Sequence, residues 1–84
     1  MTLDELRALE RAVQPIPPGG QWPPAVDDRI RIYNDALAAF REIVVRARNA
    51  IVRGAPLAAG SAERLREVSR RLAADREDIV RAIG

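Results

Sequence analysis

The stretch VDDRIRIYNDALAAFREIVVRARNAIVRG, residues 26–54, decides the fold, because it contains neither proline nor an internal glycine. Apolar residues recur through it at intervals of four and three, which is the period of one face of an α-helix. Pro23 or Pro24 suits the first helical turn, and Gly54 suits the position just after the last one. The stretch therefore predicts one helix over about residues 24–53, about 45 Å long at 1.5 Å per residue.

One seam of this long helix follows strict four-three spacing for more than three heptads. Its residues are Val26, Ile30, Tyr33, Leu37, Phe40, Val44, Ala47 and Ile51. Such a seam predicts packing against another helix in the manner of a coiled coil. A last helix, over about residues 61–83, offers a matching stripe that includes Leu65, Leu72 and Ile79. Because only the turn at residues 54–60 separates the two, we expect an antiparallel helical hairpin with Ser61 as the N-cap of the last helix.

The N-terminal third predicts a short helix followed by a connector. Thr2 and Glu5 have the spacing of a capping box, which predicts a helix over about residues 2–13. Residues 14–23 form a Pro/Gly-rich connector, expected either to fold back on the long helix through Ile16 and Trp22 or to serve as a polyproline ligand. The sequence thus predicts an all-α fold of one domain with three helices.

The long helix carries more apolar residues than the seam uses. Ile32 and Ile43 lie in a row on one side of the seam, and Val45 and Val52 lie in a row on the other. We expect the first helix and Trp22 to cover the Ile32 side and nothing in the chain to cover the Val45 side. The candidate protein interface comprises Ile32, Ile43, Val45, Val52 and Trp22. The partner would be a second copy, in a homodimer or higher oligomer, or another protein.

Arg41 and Arg48 interrupt the apolar arc between the seam and the Val45 row. In an antiparallel hairpin centred near Leu57, Arg41 falls near Asp75. This juxtaposition predicts an ion pair that bridges the hairpin. The alternative is that Arg41 and Arg48 lie at the edge, their stems covering apolar surface and their guanidinium groups in water.

Composition excludes much chemistry. The chain has no Cys and no His, and its 14 basic residues are all Arg, opposed by 12 acidic residues for a net charge of +2. A disulfide framework and a zinc site of the usual kind are excluded, and the usual general bases, thiol nucleophile and amine are missing. Tyr33 is expected to lie in the seam with its hydroxyl in solvent. We therefore expect no enzyme, no cofactor, no metal and no small-molecule substrate.

An alternative function is nucleic-acid binding by an arginine-rich end of the hairpin. The candidate contacts are Arg46, Arg48, Arg53, Arg64, Arg66 and Arg70. Guanidinium groups can neutralise phosphates, but acidic residues are interspersed and no aromatic stands beside these arginines to stack on bases. The main hypothesis is a non-catalytic protein–protein interaction or assembly module that acts through the apolar face of the long helix. No signal peptide and no apolar run of membrane-spanning length is visible, so a cytoplasmic location is expected.

Overall fold

The computed structural model describes all 84 residues. The fold is all-α, as predicted, with three helices: α1 over Leu3–Arg11, α2 over Pro24–Val52 and α3 over Ser61–Ile83. The bounds differ from the expected ones by at most two residues. Helices α2 and α3 form an antiparallel hairpin, and α1 packs against both.

The ends of the helices follow the local chemistry of the sequence, with two corrections. Gly54, at a φ of 71°, ends α2 with the two hydrogen bonds of a Schellman motif: Gly54 N–H donates to Ile51 O, and Ala55 N–H donates to Ala50 O. The prediction that Ser61 caps α3 was wrong, because Gly60 is the N-cap and Ser61 is the first helical residue. Thr2 Oγ1 accepts from Glu5 N–H as predicted, but the Glu5 carboxylate binds Arg66 instead of reaching back.

The core lies along the predicted seam of α2. Seven of its eight residues are buried, and Ile51 is partly buried. From α3, Leu65, Leu72 and Ile79 complete the hairpin core. Burial of this seam against α3 is the main apolar contact of the fold.

Helix α1 and the first part of the connector lie on one side of the hairpin. Leu6, Val13 and Ile16 are buried there. Ser69, in the middle of α3, is also buried, and its hydroxyl donates to Leu9 O at 3.0 Å. This bond fixes the position of α1 along α3.

The expectation that the Tyr33 hydroxyl reaches solvent was wrong. Tyr33 is 3% exposed, and its hydroxyl donates to Gln14 O at 2.7 Å. The same carbonyl accepts from Arg76 Nε at 3.2 Å. Burial raises the pKa of Tyr33. These bonds join α2 and α3 to the point where α1 gives way to the connector.

The molecule is elongated, with principal extents of 46 × 19 × 16 Å and a radius of gyration of 14.5 Å. A compact chain of this length would have a radius of gyration of about 12 Å. The accessible surface is 5758 Å², against about 5,000 Å² for a compact monomer of this mass. The length of α2 sets this shape, and it leaves much of α2 accessible.

Candidate protein interface

Two polar side chains of α2 fix the path of the connector. Asn34 Oδ1 accepts from Ile16 N–H at 3.2 Å, and Asn34 Nδ2 donates to Ile16 O at 2.9 Å. One amide thus satisfies both backbone groups of a buried residue, which would otherwise lie unpaired away from water. One turn from the start of α2, Asp27 Oδ1 accepts from Trp22 Nε1 at 2.6 Å and from Gly19 N–H at 3.2 Å.

Trp22, predicted to be an interface residue, is tied to its own chain. Its side chain is partly buried against the core, its indole N–H binds Asp27, and its ring lies against Gly20. A Cβ added at Gly20 would come within 1.8 Å of the Trp22 ring, so only glycine fits beneath it. Trp22 therefore has a structural role, and any partner would meet only its exposed part.

The prediction that α1 and Trp22 cover the Ile32 side of α2 was wrong. Ile32 is 71% exposed, while Ile43 is partly buried. The reason is the position of Asn34, which lies two residues after Ile32 and so about 200° around the helix. Because Asn34 and Asp27 hold the connector on that opposite side, Ile32 is left in solvent.

The Val45 side of α2 was expected to be uncovered, but it is the side on which the connector and α1 lie. Asn34, which binds the connector, is 18 residues or five full turns from Val52, and Arg41 lines a groove together with residues of α1. The valines themselves are still exposed. Val52 is 70% exposed and Val45 is 42% exposed. Helix α2 therefore presents large apolar side chains to solvent on two sides. On the third side it packs on α3.

Two grooves lie between α2 and the rest of the hairpin on the side that carries Ile32. The first, here called the Ile32 groove, has a volume of about 150 Å³ and is lined by Arg29, Ile32, Tyr33, Ala36, Asp75 and Ile79. The second, the Ala50 groove, has a volume of about 360 Å³ and is lined by Ile43, Arg46, Ala47, Ala50, Pro56, Leu57, Ala58, Ser61 and Leu65. Neither groove is lined by a residue of α1 or of the connector, so this side of the hairpin is uncovered along its length.

The predicted ion pair between Arg41 and Asp75 does not form. Asp75 lines the Ile32 groove, whereas Arg41 lines a different groove together with Arg7, Glu10, Arg11 and Gln14. Pairing two helices by height along their axes predicts which residues are level, but not which side of the hairpin each one faces. Helix α1 lies on the Arg41 side, and the groove that Asp75 lines contains no residue of α1.

The six candidate nucleic-acid contacts do not form a single patch. Arg66 pairs with Glu5 and Arg70 with Glu67, whereas Arg46, Arg48, Arg53 and Arg64 form no ion pair. Arg46 and Arg48 are two residues apart, so they leave α2 about 200° from each other. A phosphate backbone on one side of the helix would reach only some of them.

The perturbed ionisable groups are explained by bonds that hold the fold together. The Trp22 N–H, followed by the Gly19 N–H, holds the pKa of Asp27 below its usual value. Arg66 lowers the pKa of Glu5, and Arg70 lowers that of Glu67. No buried side-chain nitrogen or oxygen lacks a hydrogen-bond partner, and no group of three acidic residues is placed to hold a metal ion. None of the three helices combines the length and the apolar composition that crossing a bilayer requires.

The sequence analysis missed Asn34, Asp27 and Ser69 as positioning residues. The sequence did hold a signal for Asn34 and Asp27, since they are polar residues spaced seven apart and so share one side of α2. Ser69 interrupts the apolar stripe of α3 in the same way. Each polar residue lies where a backbone segment of the N-terminal third crosses the hairpin.

Comparison of the chain with protein-family models, with curated proteins and with solved structures finds no match. Any function must therefore be inferred from the surface and chemistry of the chain itself.

Proposed function

We propose that the protein is a non-catalytic interaction or assembly module that associates through the apolar face of α2. The observation that carries the proposal is the exposure of Ile32 and Val52, two large apolar side chains of the longest helix, at 71% and 70%. Ile32 is not isolated, because it borders a groove whose other members include Ala36 and Ile79. A large exposed apolar side chain beside such a groove is a common feature of protein interaction sites.

The size of the accessible surface supports association. The chain exposes roughly 800 Å² more than a compact monomer of its mass would. That excess is similar to the area that one partner contributes to a standard protein–protein interface. Burying the exposed part of one Ile32 or Val52 side chain would contribute about 1–2 kcal/mol.

The chemistry of the chain supports a non-catalytic role. It has no His, Cys or Lys, and its one tyrosine hydroxyl donates to a backbone carbonyl inside the fold. The three carboxylates with lowered pKa values are bound to Trp22, Arg66 or Arg70, so none is free to act as a general base.

Replacing apolar residues on each side of α2 by aspartate tests the proposal. Ile32→Asp changes one side, and the double variant Val45→Asp with Val52→Asp changes the other. Ala74→Asp, an exposed position on α3, adds the same charge as a single substitution and serves as control. Sedimentation at a series of concentrations should show loss of association in at least one α2 variant and not in the control, with the helical circular dichroism signal retained. Unchanged association in both α2 variants would contradict the proposal.

A further inference from the structure

The proposed association leaves open what covers the Ile32 side of α2. We propose, on the basis of that proposed function, that the partner is a second copy of this chain. Its α2 lies antiparallel to α2 of the first copy. In this dimer residue 32 of one chain faces residue 50 of the other, 36 faces 46, and 39 faces 43. The two-fold axis passes level with residue 41.

A second four-three row on α2 provides the contact. It runs along the uncovered side and consists of Ile32, Ala36, Ala39, Ile43, Arg46 and Ala50. The row extends over 18 residue steps, from residue 32 to residue 50, or about 27 Å, and its spacing matches that of the buried seam. A face with this spacing packs well against another helix that carries the same spacing.

The two ends of the row are complementary in shape. At one end Ile32 projects into solvent, 71% exposed. At the other end lies the Ala50 groove of about 360 Å³, most of whose lining residues are apolar. A two-fold axis midway between them brings Ile32 of each chain to the Ala50 groove of its partner. An isologous dimer requires this kind of self-complementary surface, and here it makes the same contact twice.

The charges on this side are complementary in the same register. Arg46 lines the Ala50 groove, and Asp75 lines the Ile32 groove, where it lies beside Ala36. Neither residue has an ion-pair partner in its own chain. Because position 46 of one chain faces position 36 of the other, each Arg46 comes to the partner chain's Ile32 groove, which Asp75 and Ala36 both line. Arg29, the other charged residue that lines the Ile32 groove, lies seven residues before Ala36, or about 10 Å from it along α2.

Other antiparallel registers are less favourable. A shift of one heptad in one direction places Ile32 against Ile43 and leaves most of the Ala50 groove empty. A shift in the other direction places Arg46 against Ile43, which would desolvate a guanidinium beside an isoleucine. The stated register pairs each isoleucine with an alanine and gives the longest overlap of the two rows.

Disulfide trapping tests the orientation, and the chain has no cysteine to interfere. Two single variants are prepared, Ile32→Cys and Ala50→Cys, and are oxidised separately and as a mixture. Because a disulfide requires Cα atoms about 4.4–6.8 Å apart, only the mixture should give a covalent dimer, identified by the intact mass of the mixed species. In each separate sample the two cysteines of the antiparallel dimer would be about 27 Å apart.

A charge exchange tests the register independently. Arg46→Asp and Asp75→Arg should each weaken the dimer, and the double variant should restore it. Within one chain the two residues line different grooves and form no ion pair, so restoration would report a contact between chains. Ile32→Ala should raise the dimer dissociation constant roughly 100-fold, because each of the two symmetric copies loses about a factor of ten.

The outcomes separate this inference from the proposed function. A dimer that forms the mixed disulfide and recovers in the charge-exchanged variant supports both. If disulfides form instead within each separate sample, the dimer is parallel. If the dimer is lost in Val45→Asp/Val52→Asp but kept in Ile32→Asp, it uses the other side of α2. Either result overturns the antiparallel dimer and leaves the proposed function standing. A chain that stays monomeric throughout overturns self-association altogether.

Discussion

Replacing Asn34 with alanine should release the connector from α2. The side chain of Asn34 accepts from Ile16 N–H at 3.2 Å and donates to Ile16 O at 2.9 Å. Ile16 is only 6% exposed, so its two backbone groups would be left poorly hydrated. A buried group left without its partner costs about 1–3 kcal/mol, and partial rehydration as the connector moves outward reduces the total. We expect a loss of about 2–4 kcal/mol in the free energy of unfolding.

Urea denaturation, followed by circular dichroism at a fixed protein concentration, measures this loss. Asn49→Ala is the matched control, because Asn49 lies on the same helix, is exposed, and makes no side-chain hydrogen bond. Both variants gain the same helix propensity from alanine, so the difference between them isolates the contact with Ile16. At a slope of about 1–2 kcal/mol per molar urea, the midpoint of Asn34→Ala should lie at least about 1 M below that of Asn49→Ala.

Asn34→Asp provides a second readout of the same contact. This substitution keeps an oxygen that accepts from Ile16 N–H, but it replaces the amide donor with a carboxylate oxygen that faces Ile16 O. The unfavourable contact should be relieved when the carboxyl is protonated, because it can then donate to that carbonyl. The stability of Asn34→Asp relative to the parent chain should therefore rise as the pH falls. If Asn34→Ala and Asn49→Ala unfold within about 0.5 kcal/mol of each other, the role assigned to Asn34 is wrong.

Three further predictions concern the connector and the arginines. Gly20→Ala should displace the ring of Trp22, since the new Cβ would lie 1.8 Å from it; the single tryptophan should then emit at longer wavelength, and an unchanged spectrum would contradict the packing. Asp27 has a lowered pKa, so its contribution to stability is present above its unfolded value of about 3.9 and is lost as the pH falls through the lower folded value. Asp27→Asn should remove this part of the pH dependence of stability. If the free energy of unfolding depends on pH in the same way in both chains, Asp27 makes no such contribution. We expect no strongly salt-dependent binding of duplex DNA or RNA, because Arg46 and Arg48 point away from each other. A binding affinity that rises strongly at low salt and falls in Arg46→Gln would revive the nucleic-acid alternative.

The hairpin could be predicted from the sequence because its information is local and periodic. The seam from Val26 to Ile51 repeats often enough that a single misplaced residue does not change the inference, and Gly54 marks the end of α2 by its backbone conformation. The N-cap of α3 was displaced by one residue, since Gly60 and Ser61 both have the chemistry of an N-cap and the sequence does not decide between them.

The side of α2 on which the connector lies could not be predicted. It depends on Asn34 meeting the backbone of Ile16, 18 residues earlier, and no helical period encodes that contact. The apolar residues alone favoured cover over Ile32, because burial is not directional. The same limit applies to Arg41 and Asp75: the sequence allowed their heights along the hairpin to be inferred, but not that they face different sides of it.

The solution mass of the wild-type chain, measured by light scattering over a concentration series, tests the central claim most directly. The account predicts a species of twice the 9.3 kDa of one chain, with a monomer appearing only on dilution. Association through apolar surface should persist at moderate salt, because salt screens charges but does not weaken apolar burial. A single species of one chain's mass at every concentration, at low and moderate salt, would contradict self-association through α2.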